Sequence, residues 1–246
     1  MIRVFDNLET LSLAAAEMFA ELANQAIASC GRFNVALSGG NTPHRLYEIL
    51  ANTPSREQIR WESVYVFWGD ERCVPADDPR SNARMARKTL LDHVPVPANQ
   101  IYPIRGDLTP AQAAAQYETE LRDFFGNQPP VFDLILLGLG ENAHTASLFP
   151  HTSVLDEKER WVQEVYVAEQ GMYRVTLTVP LINQAKDVIF LVSGADKALA
   201  LQSVLEGAYQ PHELPAQLIR PNGAHPIWLV DKAASHKLAV ETVEPA

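Results

Sequence analysis

The sequence predicts an α/β fold, a mainly parallel sheet with helices on both faces. Three observations carry this reading. Phe33 to Leu37 (FNVAL), Val64 to Trp68 (VYVFW), Asp133 to Gly138 (DLILLG) and Val188 to Ser193 (VIFLVS) are nearly continuous apolar runs, as strands buried on both faces require. Segments between them repeat apolar residues at helical spacing. Strand and helix alternate, as in a Rossmann-like sheet.

Ile2 to Phe5 reads as an opening strand. Leu8, Leu11, Ala15, Met18, Phe19, Leu22 and Ala26 then recur at helical spacing, with Gly31 as a C-terminal stop. Further helical patterns cover Pro43 to Leu50, Ala111 to Phe125 with Tyr117, Leu121 and Phe124 on one side, and Ala195 to Leu205. The turn-rich stretch from His93 to Pro110 reads as a surface connection, so residues 1–246 are expected to form a single domain.

Of the 246 residues, 47% are hydrophobic and 20% charged, ample for a large core. Thirty acidic against 20 basic residues give a net charge of -10, which argues against nucleic acid and against an anionic membrane surface. Surface charge is screened over about 8 Å at physiological salt, so a few local cations can still dominate a cleft. No apolar run reaches the roughly 18 residues of a membrane span. Asp6 and Glu9 stand where a secretory signal needs an apolar stretch, so the expected location is cytoplasmic. Two isolated cysteines, Cys30 and Cys73, read as ordinary packed residues.

In open α/β sheets ligands sit beyond the carboxyl ends of the strands, so the residues after each apolar run carry the chemistry. Ser38 to Pro43 (SGGNTP) offers Gly39 and Gly40 for close backbone approach, Thr42 as a helix cap and Pro43 in the first turn. This is an anion site or a plain tight turn. Gly69 to Pro75 (GDERCVP) places Asp70, Glu71 and Arg72 at a crevice mouth or in a solvated loop. A carboxylate there can orient hydroxyls, and a guanidinium can grip an anion. Ser81 and Asn82 read as caps of the next helix.

In Leu139 to Pro150 (LGENAHTASLFP), Gly138 and Gly140 bracket a turn whose amides suit a developing oxyanion. His144 follows, a base for water and an acid for a leaving alkoxide. A metal site with His151 lacks a third ligand. Lys197 opens the helix after the fourth run, against the macrodipole, and Arg174 opens the strand pattern RVTLTV. Four strand ends thus converge on one small phosphorylated ligand.

These segments, with RVTLTVPLINQAKDVIFLVSGADK, LPAQLIRP and IWLVDKAA, resemble the 6-phosphogluconolactonase family, within the wider group that includes glucosamine-6-phosphate deaminases, over nearly the full chain. The resemblance implies a NagB/RpiA/CoA transferase-like fold. It implies hydrolysis of 6-phospho-D-glucono-1,5-lactone in the oxidative pentose phosphate pathway, without cofactor or metal. His144 would be the general base, with Asp70 and Asn142 beside it. Ser38, Gly39, Gly40, Thr42, Arg72, Arg174 and Lys197 would hold the substrate and its phosphate.

The chain departs from the family where Asn142 and Ala143 replace the usual Asp-Gly before the histidine. Asparagine orients an imidazole without lending it a full charge, so His144 is expected to be a weaker base. Alanine is expected to exclude any conformation reserved for glycine. Alternatives are a nucleophilic serine at Ser38 or Ser147, a non-catalytic sugar-phosphate-binding paralogue, and an amino-sugar-phosphate isomerase. The sequence leaves the oligomeric state open.

Overall fold

The apolar runs form neighbouring strands of one sheet. The computed structural model describes residues 1–126, 130–239 and 244–245. Its strands are β1 (Ile2–Phe5), β2 (Phe33–Leu37), β3 (Val64–Trp68), β4 (Asp70–Arg72), β5 (Leu134–Leu137), β6 (Val162–Val167), β7 (Met172–Leu177), β8 (Asp187–Val192), β9 (Ile227–Asp231) and β10 (Glu244–Pro245). The helices are α1 (Leu8–Cys30), α2 (Asn41–Leu50), α3 (Ser55–Gln58), α4 (Asn82–Ala86), α5 (Pro110–Phe125), α6 (Val179–Ile182), α7 (Ala198–Glu206) and α8 (Lys232–Ser235).

The main sheet is parallel, in the order β10-β1-β9-β8-β5-β2-β3. The chain steps toward one edge through β1, β2 and β3, then toward the other through β5, β8 and β9. Right-handed crossovers place α1 and α2 on one face and α5 and α7 on the other. The direction reverses between β2 and β5, where a crevice opens. The expected α/β class is the observed one. The sequence reading did not contain the second, antiparallel sheet, β4-β7-β6. Its Val165, Val175 and Leu177 belong to the same apolar core as Val35, Leu136 and Phe190.

Helix α1 starts at a capping box between Asn7 and Thr10 and stops at Gly31, whose φ of 79° is left-handed. Leu11, Ala15, Phe19 and Ala26 are buried, while Leu8, Met18 and Leu22 lie at the margin. In α5 the buried set is Ala113, Ala114, Tyr117, Leu121 and Phe125, and Phe124 packs at the edge under the Arg32 guanidinium. Cys30, expected to be packed, is exposed. The 93–110 connection also differs from a free surface loop. Ile101 bridges to Val66, the Tyr102 N–H donates to Val66 O at 2.9 Å, and the Tyr102 ring stacks on Phe67, so this stretch covers the outer edge of β3.

Gly69 hands the chain from one sheet to the other. Its N–H donates to Leu37 O at 2.9 Å, and its carbonyl accepts from Leu177 N at 2.8 Å. The triplet that follows, expected as a crevice-mouth or solvated loop, is strand β4, with Asp70 and Glu71 buried. Glu71 meets the start of α4, accepting from Asn82 N, Ala83 N, Ser81 Oγ and its neighbour Arg72 N at 2.8–2.9 Å. Burial pushes its carboxyl pKa up against those four bonds.

Two tyrosines finish the strands at the crevice. The Tyr47 hydroxyl, from α2, accepts from Ser38 N (3.0 Å) and donates to Ser38 O (2.8 Å). The Tyr117 hydroxyl, from α5, does the same for Trp68 N (2.9 Å) and Trp68 O (3.1 Å). Each phenol pairs backbone groups that no described strand reaches, just past β2 at Ser38 and on the outer edge of β3 at Trp68, and burial pushes both pKa values up, keeping the phenols neutral. Tyr47→Phe and Tyr117→Phe are each expected to lower stability by about 1–3 kcal/mol in urea unfolding, since both leave a buried N–H and C=O unpaired.

Candidate active site

A cavity of about 460 Å³ lies beyond the ends of β2, β3, β5 and β8. Ser38, Gly39, Gly40, Thr42, Asp70, Arg72, His144, Arg174 and Lys197 all line it. Asn142 is not among the lining residues and stands beside the His144 ring.

Beyond β2, helix α2 begins with Gly40 at φ 103°, without a side-chain cap and without an acidic residue in its first turn. Thr42, expected as the cap, lies inside the helix. The N-terminal amides and the positive end of the helix dipole are therefore presented at the cavity. Gly39 has a role that the sequence did not indicate. A Cβ there would fall 1.9 Å from Asn82 Oδ1, so glycine makes room for the Asn82 amide, which donates to Asp70 O at 3.0 Å and to Asp70 Oδ1 at 3.3 Å.

Strand β4 pairs antiparallel with β7, with Asp70 opposite Thr176 and Arg72 opposite Arg174. Opposite residues share a face, as do residues two apart, so a carboxylate and two guanidiniums are presented together. Like charges facing across a ladder destabilise it; Asp70 offsets the cost. Its Oδ2 accepts from Ser147 Oγ at 2.6 Å and from Arg174 Nη1 at 3.4 Å. Arg174 also donates to Gln170 Oε1 and lies over the Phe149 ring. Burial lowers the Arg174 pKa, and Asp70 opposes that shift. Arg72 Nη1 donates to Arg80 O at 2.5 Å.

Beyond β5 the chain turns tightly. Gly140 N donates to His144 O (2.9 Å), and Ala143 N to Gly140 O (3.0 Å). Those two amides are committed within the turn, which narrows the expected oxyanion donors. The expectation that alanine excludes a glycine conformation is overturned: Ala143 adopts φ 61°, and Ala146 and His151 also lie in the left-handed region. Each such residue costs roughly 1–2 kcal/mol, accepted here within one 14-residue stretch that shapes the site, from Gly138 to His151.

The His144 ring stacks on Phe149 at 4.0 Å and 17°. A Cβ on Gly140 would come within 2.0 Å of His144 Nδ1, so only glycine lets the ring lie there. Asn142 Oδ1 is 2.5 Å from Nδ1 and accepts the His144 backbone N–H at 3.3 Å. Burial, then the Arg174 charge, pushes the imidazole pKa down from 6.5 to about 4. Ser147 is buried on Asp70, and the Ser38 hydroxyl donates weakly to Gly39 O at 3.4 Å. His151 pairs with Glu213 at 3.1 Å. Among the described residues, no group of three His, Cys, Asp or Glu is placed to hold a metal ion.

Beyond β8, Ser193 Oγ and Gly194 N donate to buried Asp231, which also caps α8. This gives the Asp231 of IWLVDKAA a role that its sequence context did not reveal. Lys197 ends a short 3-10 turn just before α7, with Nζ 3.0 Å from Asp196 and 3.8 Å from Glu141. Gln170 also lines the cavity. No chemical pattern in the sequence pointed to it.

The family model described as glucosamine-6-phosphate isomerases/6-phosphogluconolactonase matches residues 6–228. The chain belongs to this family. The 6-phosphogluconolactonase of Synechocystis sp. is 47% identical over 218 residues, 87% of this chain and 88% of that protein. The solved structure of 6-phosphogluconolactonase from Trypanosoma cruzi superposes with a TM-score of 0.85 at 29% identity, covering 97% of this chain and 96% of that one. A monomeric glucosamine-6-phosphate deaminase superposes with a TM-score of 0.80 at 22% identity, which shows the shared fold alone. Among the described residues of this 6-phosphogluconolactonase-family chain, no helix is long and apolar enough to cross a membrane.

The depressed His144 pKa has a definite sign in stability. Between pH 6.5 and about 4 the unfolded chain binds a proton at this residue that the folded chain refuses. The native state therefore loses stability as pH falls through that window and is unaffected by His144 above it. In an NMR titration the ring is expected to stay neutral to about pH 5, and His144→Gln should lose less stability on acidification than the unmutated protein.

Proposed function

We propose that this chain hydrolyses 6-phospho-D-glucono-1,5-lactone to 6-phosphogluconate in the oxidative pentose phosphate pathway, in the cytoplasm, with His144 as the general base. One observation carries the mechanism: a neutral imidazole with Nδ1 on the Asn142 oxygen lines the same cavity as Arg72, Arg174 and Lys197. The family relationship supplies the lactone.

The substrate phosphate is met by the α2 N-terminus with Arg174 and Lys197. Lys197 then exchanges its resting partners, Asp196 and Glu141, for the phosphate. Anchoring brings the lactone carbonyl to His144. Nε2 takes a proton from water as the oxygen adds to the carbonyl carbon, and the oxyanion faces the uncommitted amides of the 138–142 turn. Collapse of the tetrahedral intermediate breaks the bond to the ring oxygen, which receives the proton from the imidazolium. The acid is released as the open chain.

His144→Ala is expected to lower kcat by about 10²–10⁴-fold, measured as lactone hydrolysis above the spontaneous background. Rates equal to the unmutated protein would remove His144 from the mechanism, and a protein that bound 6-phosphogluconate without accelerating hydrolysis would be a binding paralogue. Arg174→Ala and Lys197→Ala should each raise the Kd for 6-phosphogluconate about tenfold or more, the loss of a charge-assisted bond, as read by calorimetry. A covalent adduct trapped on Ser38 or Ser147 during turnover would replace the water mechanism.

A further inference from the structure

The turn joining β6 to β7 reaches the cavity rim. It is a short 3-10 segment, Ala168–Gln170, ended by Gly171 in the left-handed conformation. Gln170 meets Arg174, and Glu169 Oε2 lies 3.5 Å from Asn142 Nδ2. Since Asn142 Oδ1 lies 2.5 Å from His144 Nδ1, a carboxylate, an amide and an imidazole stand in line from the protein surface into the cavity.

The order of those groups matters because a carboxamide has two ends of similar shape and opposite hydrogen-bonding sense. If His144 is to take a proton on Nε2, Nδ1 must carry hydrogen and donate to an oxygen. The Asn142 NH₂ group must then face outward. With the amide reversed, NH₂ would face Nδ1, the ring proton would move to Nε2, and two acceptors would confront each other at Glu169. The His144 backbone N–H, donating to Asn142 Oδ1 at 3.3 Å, favours the productive orientation from the inside. Glu169 favours it from the outside.

We propose that Glu169 is a positioning residue for the reaction, acting through Asn142. Its carboxylate holds the Asn142 amide so that His144 Nε2 remains free to accept a proton. It also supplies, one residue further out, a negative charge for the imidazolium that the neutral amide does not carry. This inference rests on His144 being the base. The contact is exposed, so its effect is modest.

Glu169→Ala is expected to lower kcat about three- to fivefold with KM unchanged. In the ligand-free protein it should also shift the His144 ring ¹⁵N resonances toward the Nε2–H tautomer. Glu169→Gln, which keeps an acceptor but not the charge, should retain the tautomer and still lose part of kcat. In an Asn142→Asp background the sign reverses: both ends of the residue at 142 are acceptors, Glu169 becomes a like-charged neighbour, and Glu169→Ala should raise kcat. An unchanged tautomer ratio in Glu169→Ala, or an equal loss of kcat in both backgrounds, would overturn the proposal. The ring resonances are read without substrate, so they decide the role of Glu169 even if His144→Ala proves as active as the unmutated protein.

Discussion

Asp70 is a buried carboxylate to which separate parts of the chain are tied. Ser147 from the turn after β5, Arg174 from β7 and Asn82 from α4 all donate to it. Burying one charge is expensive, and a buried partner of opposite sign offsets part of the cost, although Arg174 Nε is left without a hydrogen-bond partner among the described residues. Arg174 would otherwise face Arg72 across the ladder with only the weaker influence of Glu71 to oppose the repulsion. Asp70 therefore permits the cationic wall of the cavity to exist in the ligand-free molecule. Gly69 places it there by bonding one sheet with its N–H and the other with its carbonyl.

A chain of net charge -10 thus keeps a cavity wall of the opposite sign. The cations and the burial that favour an anionic ligand also hold His144 neutral, the state in which imidazole accepts a proton. The same surroundings oppose the imidazolium formed during the reaction, so its stabilisation falls to Asp70, which raises the imidazole pKa, and to the groups beyond Nδ1. A bound phosphate dianion would further offset the cations. Binding and proton transfer are coupled through one local field.

The main sheet was legible because strands covered on both faces leave uninterrupted apolar runs, and their ends pointed to the crevice. Gly39, Gly40 and Thr42, with Asp70, Arg72, His144 and Lys197, could be nominated from their place after a strand, and Arg174 as a cation opening a strand pattern. The antiparallel sheet was not legible at β4, since Asp-Glu-Arg carries the pattern of a solvated loop. Part of what buries it, β7, lies about a hundred residues along the chain, and α4 returns over it from the following segment. Gly39 and Gly140 were recognised as unusual for the wrong reason in one case: Gly39 accommodates a side chain 43 positions away, Asn82, and no local rule reports that. Ala143 was judged by propensity, and the surrounding packing overrode propensity at a cost the fold absorbs. Glu169 and Gln170 reach the site through a hairpin whose pairing partner had to be known first.

The crevice opens between β2 and β5, and at the ends of β2 and β3 a phenol from each side of the sheet bonds backbone groups that no described strand pairs. A loop in that place would let the mouth breathe with its own conformational freedom. An aromatic ring has no internal torsion, so the separation between strand end and helix is held by bonded geometry, as by a strut of fixed length. The floor of the cavity is in this respect a gauge, and adaptation to ligands of different size is left to the rim, where the β6–β7 turn and the segment around Lys197 stand.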